Sequence, residues 1–404
     1  MKNTGIKLSL FLIYFVFAAL LNSVGILVER SIEVYGVAKE DAALLELFKD
    51  LSIAVVSFLI GSFLPKLGYK RGMLIALALV FLGCLGMYFG NSFWSVKILF
   101  AITGLSFAIV KVAVYALIGY VTDTKEDHSQ LMSLIETVFM LGIIFMYLVF
   151  PLFYDDNDPD GWLRGYLLMA VIIAVAFTII LFSDFNITVE KKSTTPGEDF
   201  KAMLQLFKTP MVWIFALFAF FYVMTEQGIM TWLPTFNKET LNIEPQLAAQ
   251  VSVILMASIA LGRFITGMLV KKVKWIYIAI CGLILAAILV PVVLPMAENV
   301  PQQQVKTLAD LPLVSFLFPM IGLFLAPLYP LVSSTVLTLT DKAKHSSLAG
   351  ILTFASAIGG TLGSVIIGNL FDILGGNKVF YLSLVPMAII FVAILALNRL
   401  SKPA

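Results

Sequence analysis

Four charged side chains interrupt long apolar stretches of the sequence, namely Lys111, Glu136, Glu226 and Arg263. An ionisable group is costly in such surroundings, so it is expected to carry a proton, hold an ion pair or bind a charged solute. Glu226 has no basic residue within one helical turn, and desolvation would therefore favour its neutral, protonated form. The sequence makes Glu226 a candidate proton carrier, with a buried, hydrogen-bonded glutamic acid as the alternative.

Lys111 and Glu136 lie on consecutive apolar stretches and leave two interpretations open. In the first, the two side chains form a structural ion pair. In the second, Lys111 binds substrate and Glu136 is a further candidate for proton coupling. The sequence does not choose between them.

Neutral polar side chains in the same stretches are candidates for holding a small polar solute. Amide and hydroxyl groups next to an aromatic platform suit a sugar, and Lys111 and Arg263 would extend the set to a carboxylate. The neutral candidates are Asn22, Tyr115, Tyr222, Gln227, Trp232, Tyr329 and Ser333. Taken singly, each could instead pack between helices or join an interfacial aromatic belt.

The composition places these side chains in a membrane. Of the 404 residues, 60% are hydrophobic and 13% are charged, whereas soluble domains have roughly 25% charged residues. The net charge of +2 gives no reason to expect nucleic acid as a partner. Two cysteines and two histidines offer no disulfide framework and no basis for a zinc or haem site. No cofactor or metal is predicted.

The apolar stretches are long enough to cross a bilayer as helices of about 20 residues. We predict twelve spans, near residues 8–28, 43–64, 72–90, 97–121, 130–152, 162–182, 210–235, 248–270, 274–295, 312–338, 346–371 and 377–398. The expected fold class is an all-α polytopic membrane protein with twelve transmembrane helices in two six-helix repeats. The first stretch is interpreted as a retained helix rather than a signal peptide.

Lysine and arginine residues are distributed unequally between the two sides of the predicted membrane. The side that holds both termini carries 17 of them and the other side carries 7, where the acidic run 155–160 also lies. Because positively charged loops remain in the cytoplasm, both termini are predicted to be cytoplasmic.

A polar connection at roughly 183–209 follows the sixth span. It separates a predicted N-terminal six-helix bundle (1–185), a cytoplasmic linker (186–209) and a C-terminal six-helix bundle (210–404). We interpret the linker as flexible, with an interfacial helix at Asp199–Lys208.

Corresponding motifs occur in the two halves. Gly61 is followed by a basic loop, and Gly267, which lies 206 residues later, is followed by another. His128 and His345 stand in similar connections at an offset of 217, and both are interpreted as helix-end residues in cytoplasmic loops. Two parallel six-helix repeats suit alternating access around a site at the membrane midplane.

Over its whole length the chain resembles the major facilitator superfamily. Residues 61–71 are similar to the superfamily signature between helices 2 and 3, except that Pro65 replaces the usual Asp. The glycines of 350–368 and the segment 226–233 resemble the fucose-permease-like sugar:proton symporter branch. That branch is expected to have a carboxylate on helix 1, where this chain offers Asn22.

The resemblance also implies a partner for Arg263. In the resembled fold, helices 5 and 8 meet across the two halves, and Glu136 and Arg263 lie at matching depths in their spans. We therefore predict a contact between them on the cytoplasmic side that closes when the site opens outward. The alternative is that Arg263 extends to the headgroups or binds carbonyl groups of its own half.

Together these features predict a secondary transporter and not an enzyme, and no P-loop is present to bind ATP. The favoured function is proton-coupled uptake of a sugar or similar small polar solute. An organic-anion symporter or proton-driven drug extruder is the alternative, and a non-transporting sensor is a third class. The expected partners are a small-molecule substrate, protons and the lipid bilayer, for a monomer in the bacterial cytoplasmic (inner) membrane.

Overall fold

The structure, a computed structural model, describes residues 4–22, 31–32, 34–153, 158, 160–185, 194–299 and 304–401. Within these residues, twelve helices are long and apolar enough to cross a membrane. This confirms the predicted all-helical polytopic fold. Most of the acidic run 155–160, and residues 186–193 of the predicted linker, lie outside the described residues.

The membrane helices are numbered in chain order. The first six, α1 to α6, extend over Thr4–Leu21, Lys39–Leu67, Tyr69–Gly90, Phe93–Val121, Lys125–Val149 and Arg164–Phe182. The second six, α7 to α12, extend over Pro210–Thr235, Pro245–Leu269, Trp275–Val293, Val314–Thr338, His345–Leu374 and Leu384–Leu400. Their exposed surfaces carry large apolar side chains such as Phe89, Trp94 and Phe182, which suits contact with acyl chains rather than water.

Proline interrupts α10. Its first part contains the 3₁₀ turn Phe318–Met320, and the helix is broken again between Leu325 and Leu328, where Pro327 lies. Proline has no N–H to donate and its ring obstructs the preceding turn. The helix is therefore interrupted near these prolines.

A shorter helix, Pro196–Gln205, precedes α7 and is called the linker helix below. It begins three residues before the predicted Asp199 because Thr195 and Glu198 form a capping box. The Thr195 hydroxyl accepts the main-chain N–H of Glu198, and the Glu198 carboxylate accepts the main-chain N–H of Thr195. Pro196 at the first helical position further favours a start at this point.

The chain divides into two compact units. The first contains Met1–Asp123, Val138–Lys208 and Thr340–Phe354. The second contains Thr124–Thr137, Thr209–Leu339 and Ala355–Ala404. The beginning of α5 therefore belongs to the second unit, and the beginning of α11 belongs to the first. Each half of the sequence contributes the start of one helix to the unit that is built mainly from the other half.

Candidate transport site

A buried ion-pair cluster in the second unit is centred on Arg263 of α8. Its guanidinium donates from Nη1 to Glu136 Oε2 of α5 at 3.1 Å and from Nη2 to Glu226 Oε1 of α7 at 2.9 Å. Nη1 also donates to the main-chain oxygen of Glu136 at 3.3 Å. Arg263 is 2% exposed and Glu136 is 4% exposed. With both carboxylates ionised the cluster has a net negative charge, which a single bound proton would neutralise.

Small residues on α8 allow Arg263 to reach its partners. A Cβ added at Gly262 would lie 2.9 Å from the Cβ of Ala326 on α10, a distance that real side chains do not tolerate. A Cβ added at Gly267 would lie 3.5 Å from the Cβ of Ser133 on α5. The helix is therefore packed closely on α10 at Gly262 and touches α5 at Gly267, and the Arg263 side chain reaches Glu136 of α5.

Tyrosine side chains fix the position of Glu226. The hydroxyl of Tyr222 donates to Glu226 Oε1 at 2.9 Å. The Tyr222 ring lies 5.8 Å from Phe218 and 5.3 Å from Tyr329, and the Tyr329 hydroxyl lies 3.1 Å from Ser356 Oγ of α11. A carboxylate that accepts from both a guanidinium and a phenol is held in a defined orientation. Ser356 was missed by the sequence analysis because nothing in its local pattern marks it.

Glu226 has a basic partner that its own helix does not supply. The prediction considered only neighbours along the same helix, whereas Arg263 comes from α8 and reaches Glu226 across the contact between helices. The predicted contact between Glu136 and Arg263, in contrast, is present. Arg263 therefore has two carboxylate partners where the sequence analysis assigned it one.

Trp232 and Gln227 lie in a tight contact between α7 and α11. The indole Nε1 of Trp232 donates to the main-chain oxygen of Ser364 at 2.7 Å, and its ring stacks on Phe371 at 5.7 Å. A Cβ added at Gly360 would lie 3.2 Å from Gln227 Cγ. These contacts correspond to the packing alternative given for both residues.

Lys111 of α4 and Tyr115 lie in the first unit. The Lys111 ammonium is 5.7 Å from the centre of the Phe107 ring and 5.8 Å from that of Tyr115, where the negative faces of aromatic rings attract a cation. Asn22, at the end of α1, donates from Nδ2 to the main-chain oxygen of Ala18 at 3.0 Å. Substrate binding by these residues remains a prediction.

Ser333 and the two histidines are buried. Ser333 is 0% exposed, and its neighbour Ser334 lies 2.7 Å from His128 Nδ1. His345 Nε2 lies 3.2 Å from the main-chain oxygen of Thr340. Both histidines are helix-end residues, as predicted, since His128 lies in the first turn of α5 and His345 begins α11. Their burial, at 2% exposure each, was not predicted.

Within the described residues, no group of three or more His, Cys, Asp or Glu side chains is arranged to hold a metal ion. Twelve membrane helices with a buried carboxylate–guanidinium cluster are typical of secondary transporters. A sequence profile of the Major Facilitator Superfamily matches residues 8–318. The chain belongs to this superfamily, and it is a secondary transporter, not an enzyme.

Solved structures of the superfamily share the fold at low sequence identity. The E. coli fucose:proton symporter FucP has a TM-score of 0.80 and 16% identity, with 100% of each chain covered. The proton:xylose symporter XylE has a TM-score of 0.77 and 14% identity, covering 98% of this chain and 95% of that one. The human organic anion transporter MFSD10 (TETRAN) has a TM-score of 0.74 and 16% identity, covering 97% and 98%. No curated protein matches the sequence.

Proposed function

We propose that this transporter couples the uptake of a sugar or similar small polar solute to the entry of protons, and that Glu226 carries the proton. The arrangement around Arg263 supports this proposal. Two carboxylates share one guanidinium, so protonation of Glu226 weakens its attraction for Nη2 and leaves Arg263 bound to Glu136. Loss of the proton restores the contact with Glu226.

Glu226 is better suited than Glu136 to bind and release the proton. The side chain of Glu226 is 15% exposed, whereas that of Glu136 is 6% exposed. Glu136 is also held twice by Nη1, through its carboxylate and through its main-chain oxygen. A proton therefore has easier access to Glu226, and Glu136 acts as the fixed counter-charge of Arg263.

The cluster also connects the proton to alternating access. Glu136 belongs to the N-terminal half of the sequence, whereas Glu226 and Arg263 belong to the C-terminal half. An ion pair that joins the halves stabilises one state of the transport cycle. In our proposal the pair closes the predicted cytoplasmic side while the site is open outward, and the strength of the pair depends on the protonation of Glu226.

A neutral polar solute is favoured over an organic anion because two carboxylates already bind the guanidinium of Arg263. An anionic substrate would have to displace one of two carboxylates already bound to the guanidinium. Lys111, which lies among aromatic rings, is the cation that an anionic substrate would use instead. The proposal places a monomer in the bacterial cytoplasmic membrane, with both termini in the cytoplasm.

A pH measurement outside lightly buffered cells that express the protein tests this function. Sugars, carboxylates and amines are added in turn to cells with the parent protein, Glu226→Gln or the control Glu239→Gln, which changes an exposed side chain in the turn after α7. We expect a sugar to alkalinise the medium with the parent and the control but not with Glu226→Gln. A signal from carboxylates alone would contradict the solute class, and no signal with protein confirmed in the membrane would contradict proton coupling.

A further inference from the structure

Helices of the two repeats touch at corresponding positions. In the first unit, a Cβ added at Gly61 of α2 would lie 3.1 Å from Gly350 Cα of α11. In the second unit, a Cβ added at Gly267 of α8 would lie 3.5 Å from Ser133 Cβ of α5, an ordinary van der Waals contact. Gly267 follows Gly61 by 206 residues and Gly350 follows Ser133 by 217 residues, which are the offsets of the sequence repeat. The repeat therefore holds at the level of individual contacts.

The ion pairs beside these two contacts are different. In the second unit, Lys271 after α8 pairs with Asp127 at the start of α5 at 2.9 Å. An offset of 217 from Asp127 leads to Lys344, so the other repeat has a cation where the acid would stand. Subtracting 206 from Lys271 leads to Pro65, which carries no charge. The first unit therefore has neither partner of this ion pair at the corresponding positions.

Lys66 pairs with the linker helix instead. Its ammonium contacts the carboxylate of Asp199 and the main-chain oxygen of Thr194, and it donates to Thr194 Oγ1 at 2.7 Å. Thr194 Oγ1 in turn donates to Asp199 Oδ1 at 2.7 Å. The side chain of Asp199 is only 15% exposed, so this pair is better shielded from solvent than the exposed pair of Lys271.

An aromatic contact continues from the linker helix to α11. The ring of Phe200 meets Phe58 of α2 edge-on at 5.6 Å, and the other side of Phe58 lies 4.9 Å from Phe354 of α11. Nearby, the hydroxyl of Ser347 donates to the main-chain oxygen of Gly61 at 3.4 Å. Phe58 therefore touches both the linker helix and the helix that α2 packs against.

We propose that the linker helix acts as a clasp that keeps α2 against the start of α11, a contact that has no counterpart of the ion pair between Lys271 and Asp127. Release of Asp199 from Lys66 would free the linker helix, withdraw Phe200 from Phe58 and loosen the contact of Gly61 with Gly350. The clasp thus gives the segment between the two halves control over a contact between α2 and α11. This inference is independent of the proposed solute and proton.

A cysteine placed in the contact reports on the clasp. Ser347→Cys is introduced with Cys281→Ser, because Cys281 is exposed and Cys84 is buried. The protein is reconstituted in nanodiscs, where both faces are accessible, and the rate of modification by a water-soluble thiol reagent is measured. We expect Asp199→Asn to raise this rate several-fold, and the pair Lys66→Asp with Asp199→Lys to bring it back towards the parent value.

Two further variants distinguish release of the clasp from a general destabilisation of the protein. Phe200→Leu keeps the ion pair but removes the ring contact with Phe58, and should raise the rate at position 347 in the same direction. Asp127→Asn breaks the corresponding pair of the second unit and should leave that rate unchanged. The proposal is overturned if Asp199→Asn labels at the parent rate, if the charge exchange gives no recovery, or if Asp127→Asn has the same effect as Asp199→Asn.

Discussion

Arg263 Nη2 and Glu226 Oε1 lie 2.9 Å apart, while a second carboxylate, that of Glu136, binds the other side of the same guanidinium at 3.1 Å. When one of two buried carboxylates binds a proton, its ion pair with the shared cation weakens and the ion pair with the other carboxylate remains. Because the two carboxylates come from different halves of the sequence, we propose that this shift changes how strongly the halves are joined.

Exchanging the charges of Glu136 and Arg263 is expected to fail while Glu226 is present. In the double variant Glu136→Arg with Arg263→Glu, the new carboxylate would face Glu226, so one pair is restored and the other becomes repulsive. Breaking a buried pair costs about 3–5 kcal/mol, and we expect a loss of this order in the free energy of unfolding. Adding Glu226→Gln should recover about half of it. Unfolding in detergent measures each step, and full stability of the double variant would contradict the three-membered cluster.

Packing between α7 and α11 should be intolerant of a methyl group at Gly363. A Cβ there would lie 2.8 Å from the Met224 carbonyl carbon, which is rigid backbone. At the neighbouring Gly360 the nearest atoms belong to the side chains of Gln227 and Val223, at 3.2 Å. We expect Gly363→Ala to cost about 1–3 kcal/mol of stability and Gly360→Ala to cost clearly less. Equal losses in thermal unfolding would argue against this contact.

Trp232 should contribute to stability through its indole N–H. Trp232→Phe keeps most of the ring but loses the donor to the Ser364 main-chain oxygen, which lies 2.7 Å away. The expected loss is about 0.5–1.5 kcal/mol. Trp213 of the same helix is 60% exposed, so Trp213→Phe is the matched control and should change stability by less than about 0.5 kcal/mol. A larger effect at Trp213 would contradict the packing role of Trp232.

The linker helix should become less stable in acid. The main-chain N–H of Thr195, which donates to Glu198 Oε2 at 2.6 Å, together with the Thr195 hydroxyl and the charge of Lys66, holds the pKa of Glu198 below its ordinary value. A lowered pKa in the folded state means that the stabilisation is complete above the ordinary Glu pKa and is lost as the pH falls through the lowered value.

Hydrogen exchange at residues 196–205, corrected for its intrinsic pH dependence, measures this effect. Protection should be constant near neutrality and should fall below a pH of about 4. The variant Glu198→Gln cannot titrate and should show lower protection without that acid step. An identical acid profile in the parent and the variant would show that another group is responsible.

Much of the fold was predictable because a membrane imposes a simple requirement on the sequence. Each span needs about 20 apolar residues, so all twelve helices were recognised. The repeat was predictable from loop motifs, and its offsets recur in the contacts of Gly61 and Gly267. The start of the linker helix was misplaced because the sequence analysis did not use the capping box of Thr195 and Glu198, which starts the helix at Pro196.

The site was only partly predictable because its contacts join different helices. Matching depth was enough to pair Glu136 with Arg263, but depth does not say which faces of α7 and α8 meet. The contact of Glu226 with Arg263 depends on that rotation, and so does the aromatic contact of Tyr222 with Tyr329. Burial of His128 and His345 was missed for the same reason, since polar residues at span ends resemble loop residues in a sequence.

The proton-carrying role of Glu226 is tested most directly by separating accumulation from exchange. Vesicles that contain the purified protein are given a solute identified in the pH screen, and uptake driven by a pH gradient is compared with exchange of labelled for unlabelled solute at equal pH. Our account predicts that Glu226→Gln abolishes uptake driven by the pH gradient and retains exchange, because solute binding and the conformational change remain while the proton site is lost. Accumulation by Glu226→Gln at the parent level under the same gradient would contradict it.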